Sequence, residues 1–100
     1  MDIIKTKDEN RITLALSGRL DTVTSSKLGE ELALIFEEDG IELVFDFEAL
    51  DYISSAGLRV LLTAQKKINA LATTMKIINA NENVKEVFDV TGFSGILTIV

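Results

Sequence analysis

A buried strand that leads through small residues into an amphipathic helix constrains this fold most. Residues 43–47 (LVFDF) form a nearly continuous apolar run, which is typical of a strand buried on both faces. Four small residues follow at 54–57 (SSAG), and apolar residues then recur at helical spacing: Leu58, Leu61, Leu62, Ile68 and Leu71. The pattern predicts strand, loop and helix, with two serines at the junction. A hydroxyl there can cap the helix, and the helix dipole favours an anion or a phosphate attached to one serine.

The composition predicts one globular domain over residues 1–100 and argues against common catalytic chemistry. The chain is 47% hydrophobic, enough for an ordinary core, and it has no cysteine, which fits a reducing compartment. It has no histidine either, which removes the usual general base, the Ser-His-Asp arrangement and most zinc sites. We therefore expect no enzyme activity, no metal and no cofactor. The one catalytic alternative left open is an enzyme that acts through carboxylates such as Asp21 and Asp46.

Charge and hydropathy restrict the partners. The net charge is −6 and the basic residues are spread along the chain, so no basic stripe predicts a nucleic-acid partner. No apolar run approaches the roughly 20 residues that span a membrane, and the N-terminus lacks the form of a signal peptide. We expect a soluble, cytoplasmic protein that is a monomer on its own.

Periodicity along the rest of the chain predicts the order β-β-α-β-α-β-α-β. The first helix is predicted after residue 22, with Thr22 or Thr24 as its cap, and the second extends to about residue 71. A short third helix is predicted around Val84 and Phe88. The strands are predicted at 3–6, 11–17, 41–47, 74–79 and 96–100. Helices that follow strands favour a mixed sheet with right-handed crossovers, and we expect them mainly on one face of it.

Three short segments carry a resemblance to a known family. They are GRLDT at 18–22, LDYISSAGL at 50–58 and FDVTGF at 88–93. In this order and spacing, the chain resembles a stand-alone STAS domain of the bacterial anti-sigma factor antagonist type, over essentially its whole length. The resemblance implies an α/β fold with a four- or five-stranded mixed sheet and helices packed mainly on one face.

The resemblance also implies a protein-binding switch. The unphosphorylated form of such a protein binds an anti-sigma factor that is also a serine kinase of the GHKL type, and so releases a sigma factor. The kinase phosphorylates a serine at the start of the second helix, and a PP2C-type phosphatase restores the free hydroxyl. The alternative implied by other family members is a non-phosphorylated scaffold subunit of a transport or signalling complex.

Family members often read Asp-Ser-Ser/Thr-Gly-Leu-Gly at the acceptor site, and matching the shared Gly-Leu assigns the residues here. Ser55 falls on the acceptor, with Ser54 as second choice. Ser54 replaces the aspartate, Ala56 the second hydroxyl and Arg59 the second glycine. The predicted partner-binding residues are Asp21, Thr22, Ser54, Ser55, Ala56, Gly57 and Arg59.

Structural roles compete with several of these assignments. One serine can simply be an N-cap, Asp21 can be a cap carboxylate, and Thr22 is better explained as a cap than as a contact. Gly57 is most simply a close-approach residue. We interpret Asp46 as a strand-end carboxylate near the serine loop (residues 54–57). For Tyr52 we favour a core side chain over the alternative, a side chain that lines the contact face.

Overall fold

Four strands form one mixed sheet in the computed structural model, which describes all 100 residues. The strands are β1 (Asp2–Asp8), β2 (Arg11–Leu20), β3 (Glu42–Ile53) and β4 (Met75–Ile78), and the helices are α1 (Thr22–Ile35), α2 (Ser55–Ala70) and α3 (Glu82–Thr91). The sheet order is β1-β2-β3-β4, with β1 antiparallel to β2 and the other neighbours parallel. The expected mixed sheet is confirmed in its four-stranded form.

The core lies between the sheet and the helices. Alternate residues of β2 (Ile12, Leu14, Leu16) and of β3 (Leu43, Phe45, Phe47) are buried against residues of the helices, among them Leu28, Leu32, Leu61, Ile68, Val84 and Phe88. Each helix therefore buries the apolar stripe that its sequence shows. None of the helices is both long and apolar enough to cross a bilayer.

The central strand continues six residues beyond its predicted end at residue 47. Opposite β2, the β3 strand has one extra residue between Asp46 and Ala49 and a second between Leu50 and Tyr52. These two irregularities are β-bulges, which turn the strand so that the buried positions after Phe47 recur every third residue. The prediction was wrong because a three-residue spacing does not look like a strand when alternation is the criterion.

The predicted last strand at 96–100 is also wrong in extent. A 3₁₀ turn at Phe93–Gly95 leaves Ile96 in a helical conformation, so extended pairing begins too late for a strand to form. A single parallel bridge joins Ile99 to Ile77, and the Ile77 N–H donates to Thr98 O at 2.9 Å. The C-terminus is tied to the edge of β4 at one point and adds no full fifth strand.

Candidate functional site

The serine loop lies at the edge of the sheet where two parallel strands end. Leu20 and Ile53, the last residues of β2 and β3, are register partners, and α1 and α2 begin within two residues of them. The Ser54 N–H donates to Leu20 O at 2.9 Å and joins the two connections. Crevices outside the carboxyl ends of parallel strands are the usual binding positions in α/β sheets. The topology therefore brings residues 19–24 and 52–59, distant in sequence, to one edge.

Gly57 permits the close packing of α2 against this edge. A Cβ built on Gly57 would lie 2.8 Å from Leu20 Cγ and 2.9 Å from Ile53 Cγ1, nearer than real Cβ contacts. The absence of a side chain lets the first turn of α2 rest directly on the two strand ends. The predicted close-approach role of Gly57 is confirmed.

The two serines have different environments. Ser54 is the N-cap of α2, is half-buried, and its Oγ accepts from the Gly57 N–H at 3.2 Å. Ser55 is the first residue of the helix and is exposed, and its hydroxyl forms no hydrogen bond within the chain. The backbone N–H groups of Ser55 and Ala56 have no acceptor either. A free hydroxyl thus stands beside two unpaired donors at the positive end of a helix.

The first helix is capped by a carboxylate, a role that the sequence allowed for Asp21, and not by Thr22 or Thr24. Asp21 is the N-cap of α1, and its Oδ1 accepts from the backbone N–H groups of Val23 (3.1 Å) and Thr24 (3.0 Å). Thr24 Oγ1 accepts from the Asp21 N–H at 2.8 Å and completes a capping box. The prediction of Thr22 or Thr24 as cap was wrong, because a carboxylate one residue earlier reaches the donors of the first turn. Thr22 is the first helical residue and is exposed.

These hydrogen bonds alter the acidity of Asp21. The backbone N–H of Thr24, followed by its hydroxyl, stabilises the carboxylate and lowers the pKa of Asp21 below its ordinary value. Because the pKa is depressed on folding, the stabilisation is present above the unfolded-state pKa. It is lost as the pH falls through the folded value, below about pH 4.

We expect Thr24→Val to raise the pKa of Asp21 towards its ordinary value, because the side-chain donor is lost while the backbone donors remain. The measurement is an NMR titration of the Asp21 carboxyl carbon. Thr22→Val is the matched control, since the Thr22 hydroxyl makes no hydrogen bond within the chain. An unchanged Asp21 pKa in Thr24→Val would refute this explanation of the shift.

Arg19 and Val23 at this edge escaped the sequence prediction, and Tyr52 was assigned to the core. The Arg19 guanidinium carbon lies 4.0 Å from the centroid of the Tyr52 ring, and these residues are register partners. Tyr52 is 40% exposed, so its expected role in the core was wrong. Val23, 76% exposed, adds an apolar side chain in the first turn of α1. The β2–β3 register would have revealed the Arg19–Tyr52 pair, but it depends on the two bulges.

Asp46 does not belong to this edge. It lies within β3, opposite Ala15 and Ile78, and its Oδ1 accepts from the Glu48 N–H and from Asn79 Nδ2, each at 3.1 Å. The interpretation of Asp46 as a strand-end carboxylate was wrong because β3 continues past it to Ile53. The Asp46 carboxylate is bonded to Glu48 and Asn79, and the Asp21 carboxylate to Val23 and Thr24, so the geometry gives no support to a paired-carboxylate enzyme.

Comparison with known proteins decides the family. The family model described as the STAS domain matches residues 2–100. This chain belongs to the STAS domain family. BtrV of Bordetella bronchiseptica, whose name marks it as a candidate anti-sigma factor antagonist, is 30% identical over 99 residues, covering 99% of this STAS domain and 85% of BtrV. The anti-sigma-B factor antagonist of Listeria monocytogenes is 28% identical over 96 residues, covering 96% and 84% of the two chains.

Solved structures agree on the fold. The anti-sigma factor antagonist SpoIIAA in its unphosphorylated form aligns with this STAS domain at a TM-score of 0.85 and 17% identity, covering 99% of this chain and 88% of that one. The phosphorylated form of Bacillus SpoIIAA aligns at 0.79 and 16% identity, covering 99% and 91%. At this identity the structures establish a shared fold.

Proposed function

We propose that this STAS domain is an anti-sigma factor antagonist whose binding is switched off by phosphorylation of Ser55. The observation that carries the proposal is the exposed, unbonded Ser55 hydroxyl at the N-terminus of α2. The names of the relatives support the antagonist role, and SpoIIAA is a protein of this fold with both a phosphorylated and an unphosphorylated form. The unmodified domain binds an anti-sigma factor of the GHKL serine kinase type and thereby releases a sigma factor in the cytoplasm.

The proposed contact surface is the sheet edge built by the two connections. Its residues are Asp21, Thr22, Ser54, Ser55, Ala56, Gly57 and Arg59. Asp21 is used by the fold as a cap, yet its Oδ2 forms no hydrogen bond within the chain and remains available to a partner. Gly57 is buried and contributes indirectly, because it lets the loop pack against the strand ends. Ser55 and Arg59 have exposed side chains that can contact a partner.

Phosphorylation changes the surface without unfolding the helix. The kinase transfers the γ-phosphoryl group of ATP to Ser55 Oγ, the hydroxyl proton passes to a base of the kinase, and ADP leaves. The product carries about −1.5 to −2 charge and three strong acceptors, which the dipole and the free N–H groups of Ser55 and Ala56 favour. Binding is lost because the added bulk and charge must be desolvated inside an interface that fits a hydroxyl. A PP2C-type phosphatase hydrolyses the ester and restores binding.

The test is phosphorylation by the anti-sigma kinase that pairs with this domain. After incubation with that kinase and ATP, mass spectrometry is expected to find one added phosphate on the peptide that contains Ser55. Ser55→Ala abolishes it and Ser54→Ala retains it, because Ser54 Oγ is occupied by the Gly57 N–H. Phosphate that persists in Ser55→Ala would move the acceptor elsewhere, with Ser54 next in order.

A further inference from the structure

A groove between α1 and α2 starts one helical turn beyond Ser55. Its volume is about 360 Å³, and one wall includes Leu32 and Ala33 of α1 and Phe36, which follows the last residue of α1. The wall on α2 includes Val60 and Ala64, so its surface is mainly apolar. Both helices follow parallel strands of the same sheet, so they run in the same direction and leave a trough along their length.

The charge along the groove differs from that of the rest of the chain. The charged residues that line it are Arg59 and Lys67, both exposed, and no Asp or Glu is among its lining residues, although the chain has 16 acidic residues and a net charge of −6. Neither side chain forms an ion pair or a hydrogen bond within the chain. The helix dipole stabilises a cation near the C-terminus, where Lys67 lies in the last turn of α2. It gives no such stabilisation to Arg59, which lies in the N-terminal half. The two cations are therefore free for an external anion.

The spacing of these cations matches a helix. Arg59 and Lys67 are eight positions apart in α2, which corresponds to about 12 Å along the axis. Two acidic residues seven positions apart on one face of a partner helix are separated by about 10.5 Å, and long side chains cover the difference. Apolar residues three and four positions after the first acid would then face Val60 and Ala64. A trough open along one side suits such a helix better than a small ligand, which needs to be largely enclosed.

We propose that this groove binds an acidic amphipathic helix of the protein partner, with Arg59 and Lys67 each pairing with a carboxylate. The inference rests on the proposed function for the identity of the partner and extends its interface along α2. Phosphorylation of Ser55 then has a second way to weaken binding of the partner. Arg59 is four residues after Ser55, at the spacing where helical side chains meet, so a phosphate on Ser55 attracts Arg59 away from the groove.

A stapled helical peptide of about 15 residues tests the groove on the unmodified full chain. It carries Glu at two positions seven apart and Leu at the third and fourth positions after the first Glu, with Gln and Ala elsewhere; the reference peptide has Gln in place of both Glu. Because the chain has no cysteine, Thr63→Cys in the groove accepts a single environment-sensitive fluorophore. Glu86→Cys, exposed on α3, is the control position.

The Glu peptide is expected to change the fluorescence at position 63 only, and to bind about tenfold more tightly than the Gln peptide, since charge pairs contribute the difference. Arg59→Glu combined with Lys67→Glu is expected to abolish this preference and to favour a Lys version of the peptide. Lys66→Glu, on the same helix outside the groove, is the matched control and should retain the preference. Circular dichroism verifies that the variants are folded.

Two results with the peptides would overturn the proposal: equal affinity for the Glu and Gln peptides, or an equal fluorescence change at positions 63 and 86. A third would be tighter binding of dodecanoate than of the Glu peptide, measured at position 63, since this would assign the groove to a lipid anion. None of these depends on phosphorylation. The groove can therefore fail while the Ser55 switch holds, and the switch can fail while the groove binds the peptide.

Discussion

The domain phosphorylated on Ser55 is expected to bind its anti-sigma partner about a hundredfold more weakly than the unmodified domain. A hundredfold loss corresponds to about 2.7 kcal/mol, and a single charge buried without compensation in an interface can supply it. The loss arises in the complex, because within the free domain the phosphate lies at a helix N-terminus beside the free N–H groups of Ser55 and Ala56. Isothermal titration calorimetry of the two forms against the purified partner measures the difference.

The control is the stability of the free domain. Urea unfolding of the phosphorylated and unmodified forms is expected to give closely similar midpoints, so that weaker binding reports on the interface. Ser55→Ala should retain binding and resist inhibition by the kinase and ATP. If the phosphorylated domain bound as tightly as the unmodified one, the switch would have to operate somewhere other than Ser55.

Gly57→Ala is expected to lower the free energy of unfolding by about 1–3 kcal/mol, the usual cost of forcing an extra methyl group into a packed core. The new Cβ would meet Leu20 Cγ at 2.8 Å and Ile53 Cγ1 at 2.9 Å, and both side chains are buried among other core residues. The first turn of α2 must then move away from the strand ends. Urea unfolding followed by circular dichroism measures the change.

Gly29→Ala is the control, and it should change the free energy of unfolding in the opposite direction. Gly29 lies inside α1, and a Cβ built on it meets no atom within 4 Å. Alanine there should stabilise the domain by about 0.5–1 kcal/mol, because glycine is the poorer helix former. Because Gly57→Ala displaces the turn that holds Ser55, we also expect slower phosphorylation of this variant than of the unsubstituted domain. Equal stability of the two variants would mean that the α2 packing at Gly57 has more room than its geometry indicates.

Local chemistry explains what the sequence predicted well at the serine loop. Small residues between an apolar strand and an amphipathic helix indicate a tight junction, and the junction forms at Ser54, with Gly57 against the strand ends. The apolar faces of the helices could be predicted equally well, since the residues of each face are close together in the chain. The cap of α1 was left open among Asp21, Thr22 and Thr24, because all three are good caps and backbone conformation decides among them.

Long-range pairing explains what the sequence could not predict. The stacking of Arg19 on Tyr52 depends on the register between strands that are more than twenty residues apart. That register depends in turn on two bulges, which have no local signature beyond the spacing of Leu50 and Ile53 after Phe47. The groove between α1 and α2 likewise requires both helices to be placed before Arg59 and Lys67 can be recognised as its charged residues.

The bulges in β3 also affect the direction in which Ser55 projects. The twelve residues of β3 and the ten of β2 finish side by side at Ile53 and Leu20, so the extra length is absorbed in the kinks. Removing Glu48, the exposed residue of the first bulge, would restore one-to-one pairing there with Ile53 still opposite Leu20, and would remove the local bend and extra twist that a bulge adds. Single-residue insertions and deletions in this segment are therefore a means by which otherwise similar domains can present the same hydroxyl at different angles, and so favour different partners.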